Sequence, residues 1–343
     1  MKLAVVLYNL GGPDSLSAVE PFLTNLFSDP AIISLPAFLR TPLARFIAKR
    51  RAPVAREIYA KLDGRSPILE ETQAQAAALE QVLAARGHEA RAFIAMRCWK
   101  PFTDEAARNV AAWKPEHVVR LPLYPQFSTT TTGSAEGAWI KASAGIDAPQ
   151  SRICCYPWAE GFIATEAAFI CEAFGKAKPG LSYRLLLSAH GLPERTVARG
   201  DPYRWQVERS AAAIVEALAM PALDWSICYQ SRVGPLKWIG PATDAEIRRA
   251  GAEGKALIVA PIAFVSEHSE TLVELDIEYE KLARDTGVRD YLRVPTVGTR
   301  PEFIVALADL VERAIGDSQA VTCGLGRICP AGLARCGYRE GIA

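Results

Sequence analysis

Six apolar runs of strand length recur along the chain, and long segments of helix-forming residues separate most of them. The runs are KLAVVLYN (2–9), EARAFIAM (89–96), HVVRLPLY (117–124), YRLLLSA (183–189), DWSICYQ (224–230) and ALIVAPIAFV (256–265). Segments such as EETQAQAAALEQVLAARG and YRWQVERSAAAIVEALAM, before the second and fifth runs, are rich in Ala, Leu, Glu and Gln at helical spacing. Alternation of this kind predicts an α/β fold, with parallel sheets covered on their faces. Six or more strands over roughly 320 residues fit two doubly wound domains better than one large sheet. No internal repeat or low-complexity linker interrupts the pattern. The last segment, GDSQAVTCGLGRICPAGLARCGYREGIA, has no strand or helix period and reads as an appendage rich in Gly and Cys.

Charge narrows the function. With 39 Lys plus Arg against 38 Asp plus Glu, neither nucleic acid nor a strongly anionic surface is expected as the main partner. The opening MKLAVVLYNLGGPD is too short to span a membrane, and Gly-Gly-Pro-Asp stands where a cleavage site would be expected. It reads as a first strand, and the protein as cytosolic. In a reducing compartment the eight cysteines are better read as a metal site or as buried small residues than as disulfides. Cys98, Cys154, Cys155, Cys171 and Cys228 are scattered or merely paired, while Cys323, Cys329 and Cys336 crowd the end of the chain.

The stretch FVSEHSETLVELDIEYE (264–280) carries six carboxylates and a histidine directly after an apolar run. Taken as an α-helix capped by Ser266, it places Glu267, Glu270, Glu274 and Glu278 within roughly 80° of one another. Leu272, Leu275 and Tyr279 flank that stripe on one side, and Val273 and Ile277 on the other. His268 lies beside it, and Asp276 and Glu280 turn toward solvent. Crowded carboxylates repel unless they share a proton or a cation, so the choice lies between a charged surface and a path for one of these. Position favours the path, because ligands bind at the carboxyl ends of strands in open parallel sheets.

Other strand ends carry chemistry as well. YRLLLSAHGLP puts His190 on a tight turn, so an imidazole and the Glu270 carboxylate could face each other for proton removal or capture of a borderline metal. Tyr8-Asn9-Leu10-Gly11-Gly12 allows close backbone approach to a ligand but lacks the dinucleotide fingerprint. LPAFLRTPLARFIAKRRAP, over residues 35–53, mixes Phe38, Leu39, Leu43, Phe46 and Ile47 with Arg40, Arg45, Lys49, Arg50 and Arg51. It reads either as an amphipathic surface helix or as a greasy lip for a membrane interface or a flat apolar ligand bearing carboxylates.

Together the ordered segments LYNLGGPDS, FIAKRRAPVAREIYAKLDGRSPI, AMRCWKPFTDEA, YPQFSTTTTGS, SAHGLPERTVARGDPY, YQSRVGPLKWIGPATDAEI and PIAFVSEHSETLVELDIEY resemble those of the ferrochelatase family, which inserts ferrous iron into a porphyrin at the end of haem synthesis. The resemblance implies two flavodoxin-like (Rossmann-type) domains with an active cleft between them. It also implies that the last helix returns to the first domain. The expected boundaries are 1–125 with 299–318, then 126–298, then a cysteine-rich tail, 319–343. His190 and Glu270 match the family's essential pair and the iron site, and His268, Glu274 and Glu278 would continue a proton or metal path. Leu10, Arg97, Tyr124 and Trp238 fall in segments like those lining the porphyrin pocket; Arg50, Arg51 and Ser66 match positions near the propionates. Cys98 departs from the aromatic or basic residue usual after that arginine.

The implied activity is that of a lyase inserting ferrous iron into protoporphyrin IX with release of two protons, with His190 as proton acceptor and no organic cofactor. A chelatase for coproporphyrin or another metal would share the pair; a non-catalytic haem or iron carrier with a redox-sensing cluster is the reading from another class. Resemblance also implies a peripheral membrane contact through residues 35–51, on the inner face, and a homodimer. Some members carry a [2Fe–2S] cluster on three C-terminal cysteines, matched here by Cys323, Cys329 and Cys336. In animal members the fourth ligand comes from the loop matching YPQFSTTTT, where this chain has Thr129, which is no thiolate. Cys155 or Cys154 is the substitute, with zinc or free thiols as the other readings.

Overall fold

The computed structural model describes residues 1–338 except 233, 235, 318 and 319. It divides into two compact units, each with one parallel sheet. The first comprises the described residues of Met1–Cys155, Leu307–Ile328 and Cys336–Ala343; the second comprises those of Tyr156–Ala306 and Cys329–Arg335.

The first sheet has strand order β2-β1-β3-β4-β9, formed by Lys2–Asn9 (β1), Glu89–Met96 (β2), His117–Pro122 (β3), Gln150–Cys155 (β4) and Ala320–Thr322 (β9). All its pairings are parallel. β1 lies inside the sheet between β2 and β3, and everything beyond Lys2 is buried; Leu3, Val5, Val6 and Leu7 are each almost fully excluded from water. Burying one such side chain contributes about 1.5–3 kcal/mol. The helix Ala37–Ala60 turns Ala44, Ala48, Ala52 and Tyr59 inward, and Ala48, Ala52 and Tyr59 cluster with Val19, Phe22 and Leu23 of the helix Val19–Ser28. Its other face leaves Phe38 75% and Phe46 59% exposed.

The second sheet has order β6-β5-β7-β8, from Tyr183–His190 (β5), Trp225–Gln230 (β6), Ala256–Pro261 (β7) and Tyr291–Arg293 (β8). Leu186, Cys228, Leu257 and Val259 meet Ile247 and Leu275 in its core. Against the other face of this unit, the helix Glu160–Gly175 approaches Pro301–Ile315 so closely that a Cβ on Gly161 would lie 2.2 Å from the Glu302 carbonyl oxygen.

The six apolar runs all form strands. Three short strands escaped the sequence: β4, where Ser and Arg interrupt the apolar pattern, and β8 and β9, each of three residues and too short to show a period. β4 and β9 extend the first sheet, so the first unit runs on to Cys155 and not to residue 125. The tail is likewise no single appendage, for its residues divide between the units.

Candidate functional site

In the second unit the carboxyl edge of the sheet brings together the residues the sequence had placed on separate segments. His190 ends β5 opposite Gln230 of β6. Its Nδ1 hydrogen-bonds to the Gly191 carbonyl at 2.5 Å, which turns Nε2 toward Glu270 Oε1 at 3.4 Å. The other Glu270 oxygen lies 3.5 Å from His268 Nε2. Phe264 packs on both imidazoles, its ring 4.6 Å from that of His268 and 6.3 Å from that of His190.

The helix carrying Glu270 starts later than expected. His268, extended at φ −162°, is the N-cap of Ser269–Leu272, and its own N–H donates to Thr271 Oγ1 at 3.0 Å. Ser266 is not the cap. The chain then winds as a π-helix over Glu274–Tyr279, where the Glu278 N–H donates to the Val273 carbonyl at 2.9 Å. Wider winding breaks the single acidic stripe that an α-helix would give. Glu267 instead accepts from Arg293 Nη1 at 2.5 Å and the Thr296 N–H at 3.0 Å. Asp276, expected in solvent, accepts two 2.6 Å bonds from the same arginine. Glu274 is held by the Ser231 N–H and hydroxyl and by Tyr279, while Glu278 is exposed.

These contacts set the charges. Burial works against a proton on His190, but the Glu270 carboxylate and the Gly191 carbonyl outweigh it and lift the imidazole to about 9. Burial likewise opposes ionisation of Glu270, yet His190 and His268 hold it well below the ordinary carboxylate range. Burial and the neighbouring Glu270 charge push Glu274 up. Among the described residues no group of three or more His, Cys, Asp or Glu side chains is arranged around a metal position.

In the first unit, Leu10, Arg97 and Tyr124 follow the ends of the adjacent strands β1, β2 and β3; the Arg97 N–H bonds to the Asn9 carbonyl at 2.9 Å. Burial raises the Tyr124 phenol well above its usual value. Arg50 is exposed and lies over the Phe46 ring, whereas Arg51, partly buried, lies over Phe27 and is lowered by that burial. Ser66 is buried against Gly12, where an added Cβ would come within 2.5 Å of its hydroxyl, so only glycine fits the turn. Cys98 packs into the cluster with Val19 and Phe22, and burial pushes its thiol up to about 12. In the second unit Trp238 pairs with Pro193, and its buried Nε1 has no partner among the described residues.

A family model described as ferrochelatase matches residues 2–315. The chain belongs to the ferrochelatase family. The ferrochelatase of Caulobacter vibrioides (strain NA1000 / CB15N) is 55% identical over 345 residues, covering 100% of this chain and 99% of that protein. That of Phenylobacterium zucineum (strain HLK1) is 56% identical over 343 residues, 99% of each. Membership makes the chain a lyase acting at the terminal step of haem biosynthesis, with ferrous iron as substrate. Among solved structures, the sirohydrochlorin chelatase SirB from Bacillus subtilis subspecies spizizenii in complex with cobalt shares the fold, at 13% identity and TM-score 0.52, over 92% of this chain and 95% of that one.

Several residues that organise this ferrochelatase site gave no signal in the sequence. Arg293, Thr296 and Ser231 lie outside the acidic stretch and meet its acids only through the fold; Tyr279 lies within it, but spacing placed it only as an apolar flank and not as the donor to Glu274. Gln230, whose Nε2 donates to the Glu270 carbonyl at 2.7 Å, could have been found, because it ends the strand beside His190.

Proposed function

We propose that ferrous iron meets protoporphyrin IX at the His190–Glu270 pair, where the two pyrrole protons are also taken up. The observation that carries this reading is the 3.4 Å approach of His190 Nε2 to Glu270 Oε1 at the carboxyl edge of the second sheet. One imidazole nitrogen and one carboxylate oxygen suit a borderline divalent ion. At neutral pH the imidazole holds a proton, so iron binding and acceptance of a pyrrole proton both require it to leave first. Glu270 is the nearest acceptor, and beyond it Glu274 and the exposed Glu278 continue toward water. His268 lies on the other side of Glu270 as the second proton partner. Because Glu274 binds a proton more readily than an ordinary carboxylate, protons are its natural cargo.

In the first unit Leu10 and Tyr124 offer apolar surface for the porphyrin and Arg97 a donor; in the second, Trp238 is the residue assigned to it. Arg50 and Arg51, with Ser66 behind them, serve the propionates. The exposed face bearing Phe38 and Phe46 is both porphyrin lip and peripheral membrane contact. No helix among the described residues is long and apolar enough to cross a membrane.

A [2Fe–2S] cluster is supported by the thiol chemistry alone, since among the described residues the cysteines are not gathered around one metal position. β4 ends in Cys155, whose register partner on β9 is Thr322, and Cys323 follows at once. The buried Cys154 thiol hydrogen-bonds with Cys155 and Cys336, and these neighbours raise it well above its ordinary value. Cys329 is buried and accepts a bond from Gln206 Nε2 at 3.1 Å, the kind of donor that cluster sulfurs receive. Cys323, Cys329, Cys336 and Cys155 would hold the cluster, with Cys154 as the alternative fourth ligand. When bound, it would supply a one-electron centre that ties the tail down. Separate Cys154→Ser and Cys155→Ser variants distinguish the two, since only loss of a ligand removes the visible cluster absorption.

The test of the pair is anaerobic addition of ferrous iron and protoporphyrin IX, following loss of the free-base bands. His190→Ala and Glu270→Gln should abolish metallation while leaving porphyrin binding nearly intact. Loss of binding alone would make His190 structural.

A further inference from the structure

Asp29 is 3% exposed and is the C-cap of the helix Val19–Ser28, where the helix dipole disfavours a carboxylate. It is nevertheless fully engaged. Its Oδ1 accepts the Ala31 N–H at 2.8 Å, and its Oδ2 lies 3.0 Å from Arg97 Nη2 and accepts the Ser134 hydroxyl. Ser134 in turn accepts a 2.7 Å bond from Arg97 Nε. Carboxylate, hydroxyl and guanidinium therefore close a triangle at the carboxyl edge of the first sheet. The Arg97 Nη1 group takes no part in it, and a quarter of the side chain stays exposed.

We propose that Asp29, assisted by Ser134, is the positioning residue of Arg97. It fixes the guanidinium and cancels its charge, so that Arg97 meets the porphyrin as a directed hydrogen-bond donor and not as a mobile countercharge. This rests on the placement of Arg97 in the porphyrin pocket. A guanidinium carries five N–H donors in a rigid fork, so holding two edges aims the third. Neutralising the net charge of propionates then falls to the arginines of the lip.

The test is a double-mutant cycle in the full chain, with KM for protoporphyrin IX, kcat and thermal unfolding measured for Asp29→Asn, Ser134→Ala, Arg97→Gln and the Asp29→Asn/Arg97→Gln pair. Asp29→Asn keeps the acceptor for Ala31 and loses the charge. It should raise KM roughly 10-fold, the worth of a charge-assisted hydrogen bond, with kcat within about twofold. Ser134→Ala should move KM the same way by less, and decides the matter if Asp29→Asn does not fold. The double variant should be no worse than Arg97→Gln alone, because Asp29 acts only through Arg97. If Arg97→Gln leaves KM unchanged, the placement of Arg97 is wrong and the proposal falls with it. If Arg97→Gln raises KM while Asp29→Asn and Ser134→Ala do not, the placement stands and the positioning role is overturned.

Discussion

Glu270 beside it holds the His190 imidazole protonated at neutral pH, and in the proposed role that proton sets the pH dependence. Since the imidazole is lifted from an ordinary 6.5 to about 9, the metallation rate at saturating substrate should climb as pH rises from about 7 toward about 9. In Glu270→Gln the countercharge is gone, and histidine NMR titration should show His190 falling back toward 6.5. A rate flat across that range would deny His190 the role of base. For stability the signs are opposite for the two partners. The His190 contribution is complete below 6.5 and lost as pH rises through about 9. That of Glu270 is present above 4.5 and lost as pH falls through its depressed value. Glu166 presents the converse case: it is 0% exposed, neither carboxyl oxygen has a partner among the described residues, and burial with Glu267 nearby raises it well above 4.5. Folding must take up a proton there whenever the unfolded chain would be ionised, so the cost grows with pH by about 1.4 kcal/mol per unit. Glu166→Gln should therefore raise the unfolding temperature more at about pH 8 than at about pH 5. Equal shifts at both pH values would mean that Glu166 is ionised in the folded protein.

At the scale of elements, the π-helix Glu274–Tyr279 and the helix Ala37–Ala60 show where sequence pattern fails and where it suffices. Residue spacing alone assumes α winding from Ser266, and neither the later helix start at His268 nor the extra residue in the π turn is visible to it, so the sequence located the acids but misassigned Glu267 and Asp276. Both are claimed by Arg293, which enters from β8, a strand too short to be recognised. Tyr279 steadies Glu274 with a 2.9 Å hydrogen bond across the π turn. Tyr279→Phe should lower metallation several-fold and stability by about 1 kcal/mol, the worth of one such bond, read by kcat and urea unfolding. The helix Ala37–Ala60 was more legible, because apolar residues that cannot all face the core are visible in sequence as an excess beyond one stripe. Alanines at four-residue spacing take the buried face, leaving Phe38 and Phe46 outside. Phe38→Ala should leave stability within about 0.5 kcal/mol, as an exposed change does, yet raise KM for porphyrin. A matching loss of stability would show that Phe38 serves the fold instead.

For the whole molecule, alternating apolar runs and helices were enough to fix two parallel sheets and the edge on which His190 and Glu270 fall, since those signals are local. Where each unit ends was not legible. The strands β4 and β9, which carry the first unit to Cys155 and bring the tail residues 320–322 into its sheet, pair across more than 160 residues of sequence. Charge, in contrast, is a whole-chain property that sequence reports directly. With 39 cationic against 38 anionic side chains, the net charge is +1, and little long-range field is available to steer an anionic porphyrin. Under the proposed propionate role the attraction comes from Arg50 and its neighbours, within a Debye length of about 10 Å at 0.1 M salt. Raising salt from about 0.05 to about 0.2 M should consequently reduce kcat/KM for protoporphyrin IX by no more than about threefold, and Arg50→Gln should abolish what dependence there is. A steep salt dependence that survives in Arg50→Gln would place the attraction elsewhere on the surface and remove the propionate role from the lip.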